Sequence, residues 1–180
     1  LGLEPGLVSY GTGISACAGG GRWWQALLIL SRLWEREMAP DSISYSACIS
    51  ACEKGGQWQW ALSLLSQMTA VRVDPDDVCY SAGINACEKC RQWQWALSLL
   101  YRMRQIRCDP TDFSYSGAVS ACEQGGQWQM AVSLLSDMWD TSVGPNTVSV
   151  NAGMRACQKS GQWWQSLALL TRLRDGMAEP

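Results

Sequence analysis

The sequence predicts an all-α fold: a solenoid of five helix-turn-helix repeats. Three observations carry that reading. Cysteines recur at Cys17, Cys52, Cys87, Cys122 and Cys157, always 35 residues apart. Tryptophans at Trp23, Trp58, Trp93, Trp128 and Trp163 keep the same step, and so do all six prolines, Pro5, Pro40, Pro75, Pro110, Pro145 and Pro180. Each copy also holds two stretches with apolar residues at helical spacing. A fixed period of this kind marks stacked units, none of which buries its apolar face alone, so three or more are needed.

The second copy shows the unit most plainly. Tyr45, Cys48, Ile49 and Cys52 fall at i, i+3, i+4 and i+7, one face of an amphipathic helix. Lys54-Gly55-Gly56 follows, and glycines there end a helix and turn the chain. Trp58, Ala61, Leu62, Leu65 and Met68 mark the apolar face of a second helix. Thr69 to Asp74 then leads to Pro75, which a helix interior does not tolerate.

In chain order, residues 1–6 match the tail of a preceding unit, as in Val73-Asp74-Pro75-Asp76. Units follow at 7–41, 42–76, 77–111, 112–146 and 147–180, the last one residue short. The first is the most divergent, with Ala18-Gly19-Gly20-Gly21 at its turn and an added Trp34. In the third, Cys90 takes the place of a turn glycine. Neither end carries the polar face of a capping unit, and the chain starts at Leu1 rather than Met. The array is therefore expected to continue beyond both ends.

Composition narrows the function classes. The 14 basic and 16 acidic residues give a net charge of -2, with none of the electrostatic footprint of a strongly basic nucleic-acid binder. Arg102, Arg104 and Arg107 form a local basic group, read as a solvated helix end. There is no histidine, which excludes Ser-His-Asp and Cys-His nucleophiles and His-containing zinc sites within this chain. Five of the nine cysteines lie in the apolar column, where a free thiol acts as a small hydrophobe. That usage, with an odd total, predicts a reducing compartment. Cys87 and Cys90 make the single C-x-x-C, but Cys87 belongs to the core column, so no metal or redox role is assigned. No cofactor and no enzyme activity are expected of these residues; a catalytic domain outside them stays open. The longest apolar run, Ala26 to Leu30, is far short of the ~18 residues of a membrane span, so no membrane partner is expected.

The units resemble the pentatricopeptide repeat family. The carriers are Tyr-Ser near the start, a small residue and Cys late in helix one, Gly-Gly at the turn, Ala-Leu in helix two, then Met, then Pro-Asp. The likeness covers essentially the whole chain, and the Trp-x-x-Leu-Gly-x-x-Tyr pattern of tetratricopeptide repeats is absent. The chain departs from the family in the Gln-Trp start of helix two and in extra tryptophans at Trp24, Trp60, Trp95 and Trp164. These are read as packing between helices, with a stacking platform for bases as the alternative.

The resemblance implies a right-handed superhelix whose first helices line a concave groove. Single-stranded RNA would run there, one base per repeat, read by two or three side chains. Three columns carry over. Val8, Ile43, Val78, Phe113 and Val148 would sandwich successive bases without sequence preference; packing at a helix start is the other reading. Gly11, Ser46, Ser81, Ser116 and Asn151 would read base edges, or else are small for close helix packing. Asp41, Asp76, Thr111 and Asn146 would complete the reading, and all four are also good helix N-caps. The family's pairing rule gives guanine for Ser46 with Asp76, adenine for Ser116 with Asn146, a purine for Ser81 with Thr111, and a pyrimidine for Asn151. Gly11 with Asp41 is uninformative. Lys54, Lys89 and Lys159 are expected to add phosphate contacts. The resemblance further implies organelle RNA processing, stability, splicing or translation, in the chloroplast or mitochondrion. The competing class is a protein-binding scaffold, with other proteins as partners anchored on the eleven tryptophans.

Overall fold

Every unit starts and stops its helices with the same devices. The computed structural model describes residues 6–141 and 143–176; Pro5, Pro180 and residues 1–5 of the expected leading tail lie outside the described residues. Five helix pairs follow one another: α1 (Leu7–Gly19) with α2 (Trp23–Glu35), α3 (Ser42–Lys54) with α4 (Trp58–Ala70), α5 (Asp77–Lys89) with α6 (Trp93–Gln105), α7 (Asp112–Gln124) with α8 (Trp128–Asp140), and α9 (Thr147–Lys159) with α10 (Trp163–Gly176). Among the described residues every element is a helix.

First helices after α1 begin at a side-chain cap. Asp41 accepts from the Ser44 N–H at 2.9 Å, Asp76 from Cys79 at 2.9 Å, Thr111 from Ser114 at 3.4 Å, and Asn146 from Ser149 at 2.9 Å. Each satisfies a backbone donor that has no partner within the helix. Ser149 returns the favour by accepting from the Asn146 N–H, which closes a reciprocal box.

The hairpin turns close on the cysteine column itself. The Cys52 carbonyl accepts from the Gln57 N–H at 2.8 Å, and Cys87, Cys122 and Cys157 accept from Gln92, Gln127 and Gln162 in the same way. The residue before each donor is left-handed, as at Gly56 (φ 65°) and Gly126 (φ 68°). Arg91 takes that conformation at φ 58° without glycine's freedom, at a cost of about 1–2 kcal/mol. Second helices end by a related motif, in which the Met68 and Met103 carbonyls accept from Val73 and Cys108.

Packing follows one rule along the array. First helices stack in the series α1, α3, α5, α7, α9, while α2, α4, α6 and α8 each lie against their own first helix and that of the next unit, and α10 lies against α9. The backbones of successive second helices stand apart. Tyr45, Cys48, Ile49 and Cys52 are all fully buried, as the periodicity predicts. On α4 the buried face is Ala61, Leu64, Leu65 and Met68, with Leu62 only half-buried. The expected stripe is turned because α4 is covered from two sides, by α3 and α5. Burial pushes the Cys87 and Cys122 thiols up to about 12, which leaves them as inert apolar groups.

Eight of the eleven tryptophans fall into two sets, while Trp163, the last of the 35-residue column, is exposed. Trp23, Trp58, Trp93 and Trp128 are half-buried at the start of the second helices. The Trp23 ring fills the space beside Gly55 of the next unit, and Trp93 does so at Gly125; a methyl group at either glycine would collide with the indole. Cys90 occupies that place in the third unit, and there the Trp58 ring neighbours Trp95, with centroids 6.2 Å apart. Trp24, Trp60, Trp95 and Trp164 are 48–55% exposed. The expectation of packing between helices is met by the half-buried set and by Trp95 beside Trp58, whereas the register of the second helix turns Trp24, Trp60 and Trp164 toward its solvent side.

Polar ties cross the seams at the far ends of the first helices. Lys89 pairs with Glu53 at 2.9 Å, and Lys159 and Arg155 both pair with Glu123 at 2.9 Å. Burial raises the Glu123 pKa, but the hydrogen bonds from Arg155 and Lys159 outweigh it and hold the carboxyl below its ordinary value. Glu88 stands between Glu53 and Glu123 in the same column. The residue in the register of its cation is Gln124, which carries no charge. Burial pushes the Glu88 carboxyl above its ordinary value, against the pull of Lys89 and the Ser120 hydroxyl.

Two outcomes are expected. Gly125→Ala should lower stability by about 1–3 kcal/mol, since the methyl overpacks against Trp93, and urea unfolding measures it. Glu88→Gln should raise stability at neutral pH. A raised carboxyl pKa favours the fold below the unfolded value and loses that advantage as pH rises through the folded one. The gain from Glu88→Gln should therefore shrink as thermal melts are taken at lower pH, and a gain that grows on acidification would contradict the assignment.

Candidate nucleic-acid interface

The tight stacking of first helices lines up their N-termini along one face. Val8, Ile43, Val78, Phe113 and Val148 sit at the second residue of these helices and are 54–80% exposed. That exposure leaves much of each apolar side chain facing solvent rather than the core.

Three residues further on, Ser46 and Ser81 are half-buried, Ser116 is buried, Gly11 is partly covered and Asn151 is exposed. The Ser46 hydroxyl donates to the Ile43 carbonyl at 3.1 Å. Ser116 donates to the Asn146 side-chain oxygen at 3.2 Å, so the two reading columns meet across the boundary of the fourth and fifth units. At the boundary before it, Ser81 and Ser114 share a hydrogen bond of 2.8 Å, and Ser114 and Thr111 one of 3.2 Å. For Ser46 and Asp76 the link is spatial order along the groove rather than a bond.

Capping therefore accounts for Asp41, Asp76, Thr111 and Asn146 as helix formers. It engages Oδ1 of Asp41, Asp76 and Asn146. Asp41 and Asp76 each keep a second carboxylate oxygen beyond the cap, whereas the Asn146 amide N–H donates to Asp112 at 3.4 Å and its oxygen also accepts from Ser116. The hydrogen bond from the Ser44 hydroxyl holds Asp41 below its ordinary carboxyl value, so Asp41 is anionic at neutral pH.

The columns converge on slots. One slot is lined by Val8, Gly11, Asp41 and Ile43. Another, of about 480 Å³, is lined by Val78, Ser81, Thr111 and Phe113. In each, two apolar side chains from successive units form the walls, with a small residue and a cap between them. The second slot also contains Ser50 and Asn85, which sequence reasoning missed. Their signal was available: both lie four residues, one helical turn, beyond the reading column.

The cations expected at phosphates are mostly engaged. Lys89 and Lys159 are tied to Glu53 and Glu123, while Lys54 is exposed. Arg104 is no free helix end either: it donates to the Tyr115 hydroxyl and pairs with Asp137 at 2.9 Å. Among the described residues no cluster of three or more His, Cys, Asp or Glu side chains forms a metal-binding group. Among them, too, no helix is long and apolar enough to cross a membrane.

Comparison with known proteins places this geometry. No curated protein matches the sequence. Among solved structures, the maize pentatricopeptide repeat protein PPR10 aligns over 99% of this chain with 24% identity and a TM-score of 0.75. The same protein in complex with an 18-nucleotide psaJ RNA element aligns at 20% identity and 0.76. The chain spans 26% of the first of these structures and 30% of the second. The PPR domain of Arabidopsis thaliana protein-only RNase P 1, in complex with tRNA, aligns over 94% of this chain and 89% of its own length, with 16% identity and a TM-score of 0.80. At these identities the structures establish a shared fold. The sequence pattern of the PPR repeat itself matches residues 43–72, 78–108 and 113–141, half of the chain. This chain belongs to the pentatricopeptide repeat family.

Proposed function

We propose that this chain binds single-stranded RNA along the face formed by its first helices, one base per unit. The observation that carries the reading is the repeated slot, with exposed apolar walls and small polar groups between them. An apolar wall holds any base by stacking, and hydrogen-bonding groups between the walls discriminate base edges. Similar folds have been solved with an RNA element and with tRNA bound, which supports the same partner class here. The units proposed are 7–41, 42–76, 77–111, 112–146 and 147–180. The order of bases is any base, guanine, purine, adenine, pyrimidine from the 5′ end. The family resemblance supports a role in organelle RNA processing, stability, splicing or translation, with chemistry left to other proteins or domains.

A protein-binding scaffold is the second reading, and one observation favours it. Trp24, Leu28, Trp34 and Trp60 line an exposed apolar groove of about 470 Å³ on α2 and α4. Salt separates the two. RNA binding weakens as salt rises, here with a shallow slope because the chain carries little basic charge, with a net charge of -2, whereas a tryptophan-anchored interface responds far less.

Selection from a random RNA pool tests the first reading. Ser116→Asn should move the preference of the fourth unit from adenine toward a pyrimidine, and enrichment of the same sequence by both proteins would refute base reading there. Phe113 is the most exposed aromatic wall, at 72%, so Phe113→Ala should leave thermal stability nearly unchanged. It should weaken RNA binding by about 1–3 kcal/mol, read by fluorescence anisotropy, and unchanged affinity would remove the stacking role.

A further inference from the structure

Asn85 is unlike its counterparts. The equivalent residues in the other units are Ser15, Ser50, Ser120 and Arg155. It lies in the slot walled by Val78 and Phe113. Its side-chain oxygen reaches over Gly117 of α7, where an added methyl carbon would lie 2.6 Å from it. Most other units have alanine at that place, Ala47, Ala82 and Ala152. The boundary of the third and fourth units thus combines a longer polar side chain, Asn85, with the missing methyl group, at Gly117, that makes room for it.

The same slot has its reading hydroxyls already engaged. Ser81 and Thr111 both hydrogen-bond to Ser114. Asn85 supplies an amide donor and an amide acceptor beyond them. It lies seven residues along α5 from Val78, about 10 Å at the helical rise. The charges set the direction of a nucleotide along that length. Asp76, Asp77 and Asp112 stand at the Val78 end, whereas at the other Lys89 is paired with Glu53, which also lines the slot, and Lys54 is exposed. A phosphate is repelled by the first group and meets Lys54 at the second. With the base between Val78 and Phe113 and the phosphate toward Lys54, the sugar falls between them, beside Asn85.

We propose that Asn85 hydrogen-bonds the ribose 2′-hydroxyl of the nucleotide in the third slot, a contact that distinguishes RNA from DNA at that one place. This rests on the RNA-binding reading. A 2′-hydroxyl both donates and accepts, which the amide of Asn85 matches on both counts.

The test uses the full chain and an RNA whose core reads U-G-A-A-U between uridines, with a single 2′-deoxy nucleotide placed at each core site in turn. Removing the third 2′-hydroxyl should weaken binding by the unsubstituted chain about five-fold, the worth of one net hydrogen bond. Asn85→Ser, which installs the residue of the neighbouring units, should bind the all-RNA and third-deoxy probes equally. Gly117→Ala should reduce the same sensitivity by displacing the amide, and should add nothing in the Asn85→Ser background. The assignment is overturned when the third deoxy substitution is silent in the unsubstituted chain, or when Asn85→Ser keeps the sensitivity. It is also overturned when Asn85→Ser changes which base is preferred at that site, since the amide would then be reading a base edge. Failure of the unsubstituted chain to bind any of these RNAs removes the RNA reading as well, whereas the other failures leave that reading standing.

Discussion

Consecutive first helices meet through small buried side chains: Ala51 and Cys52, Ala86 and Cys87, Ala121 and Cys122, Ala156 and Cys157. Small residues let two helix backbones approach closely, and the charged residues that cross between first helices, Glu53 with Lys89 and Glu123 with Arg155 and Lys159, sit at their far ends. The second helices carry larger groups, with Trp23 and Trp93 wedged against the next turn. One layer is therefore tight and the other wide. The tight layer is the one whose helix N-termini carry the exposed walls, so the close stacking of first helices brings the walls of successive units to the same slots.

The same difference explains which residues had meaning in the sequence. The cysteine, tyrosine and alanine columns were legible because burial imposes identity at each repeat. The turns were legible from Gly55-Gly56 and Gly125-Gly126, and the caps from Asp41, Asp76, Thr111 and Asn146. Periodicity alone could not orient the second helix, since α4 has two covering partners; this is why Leu62 and the Trp60 register were misjudged. The pairing of Lys89 with Glu53, and of Lys159 with Glu123, was also hidden. Such pairs join residues 36 apart, one more than the period, so they follow from the offset between stacked helices and not from the repeat itself.

At the candidate slots, the sequence named the walls and the reading columns but not how they are held. Ser44, Ser114 and Ser149 are buried at the first turn, each close to the cap of its own helix, and Ser114 also engages Ser81 of the preceding one. Their signal was weak because serine at the third helical residue serves the cap first. Ser114 is a link through which one unit senses the side chains of its neighbour. Context between the third and fourth units thus has a physical route, through a hydroxyl that belongs to neither reading column.

The separation of the second-helix backbones has a mechanical meaning. An array with one continuous inner layer and one interrupted outer layer behaves as a leaf spring with a stiff edge and a compliant edge. Its length along the outer side changes by widening gaps that only side chains such as Trp58 and Trp95 bridge. The inner side keeps its hydrogen bonds and its buried seam while this happens. Pitch is then the soft coordinate of the molecule. A strand lying along the inner face could set that pitch through many small rotations without unfolding any single helix.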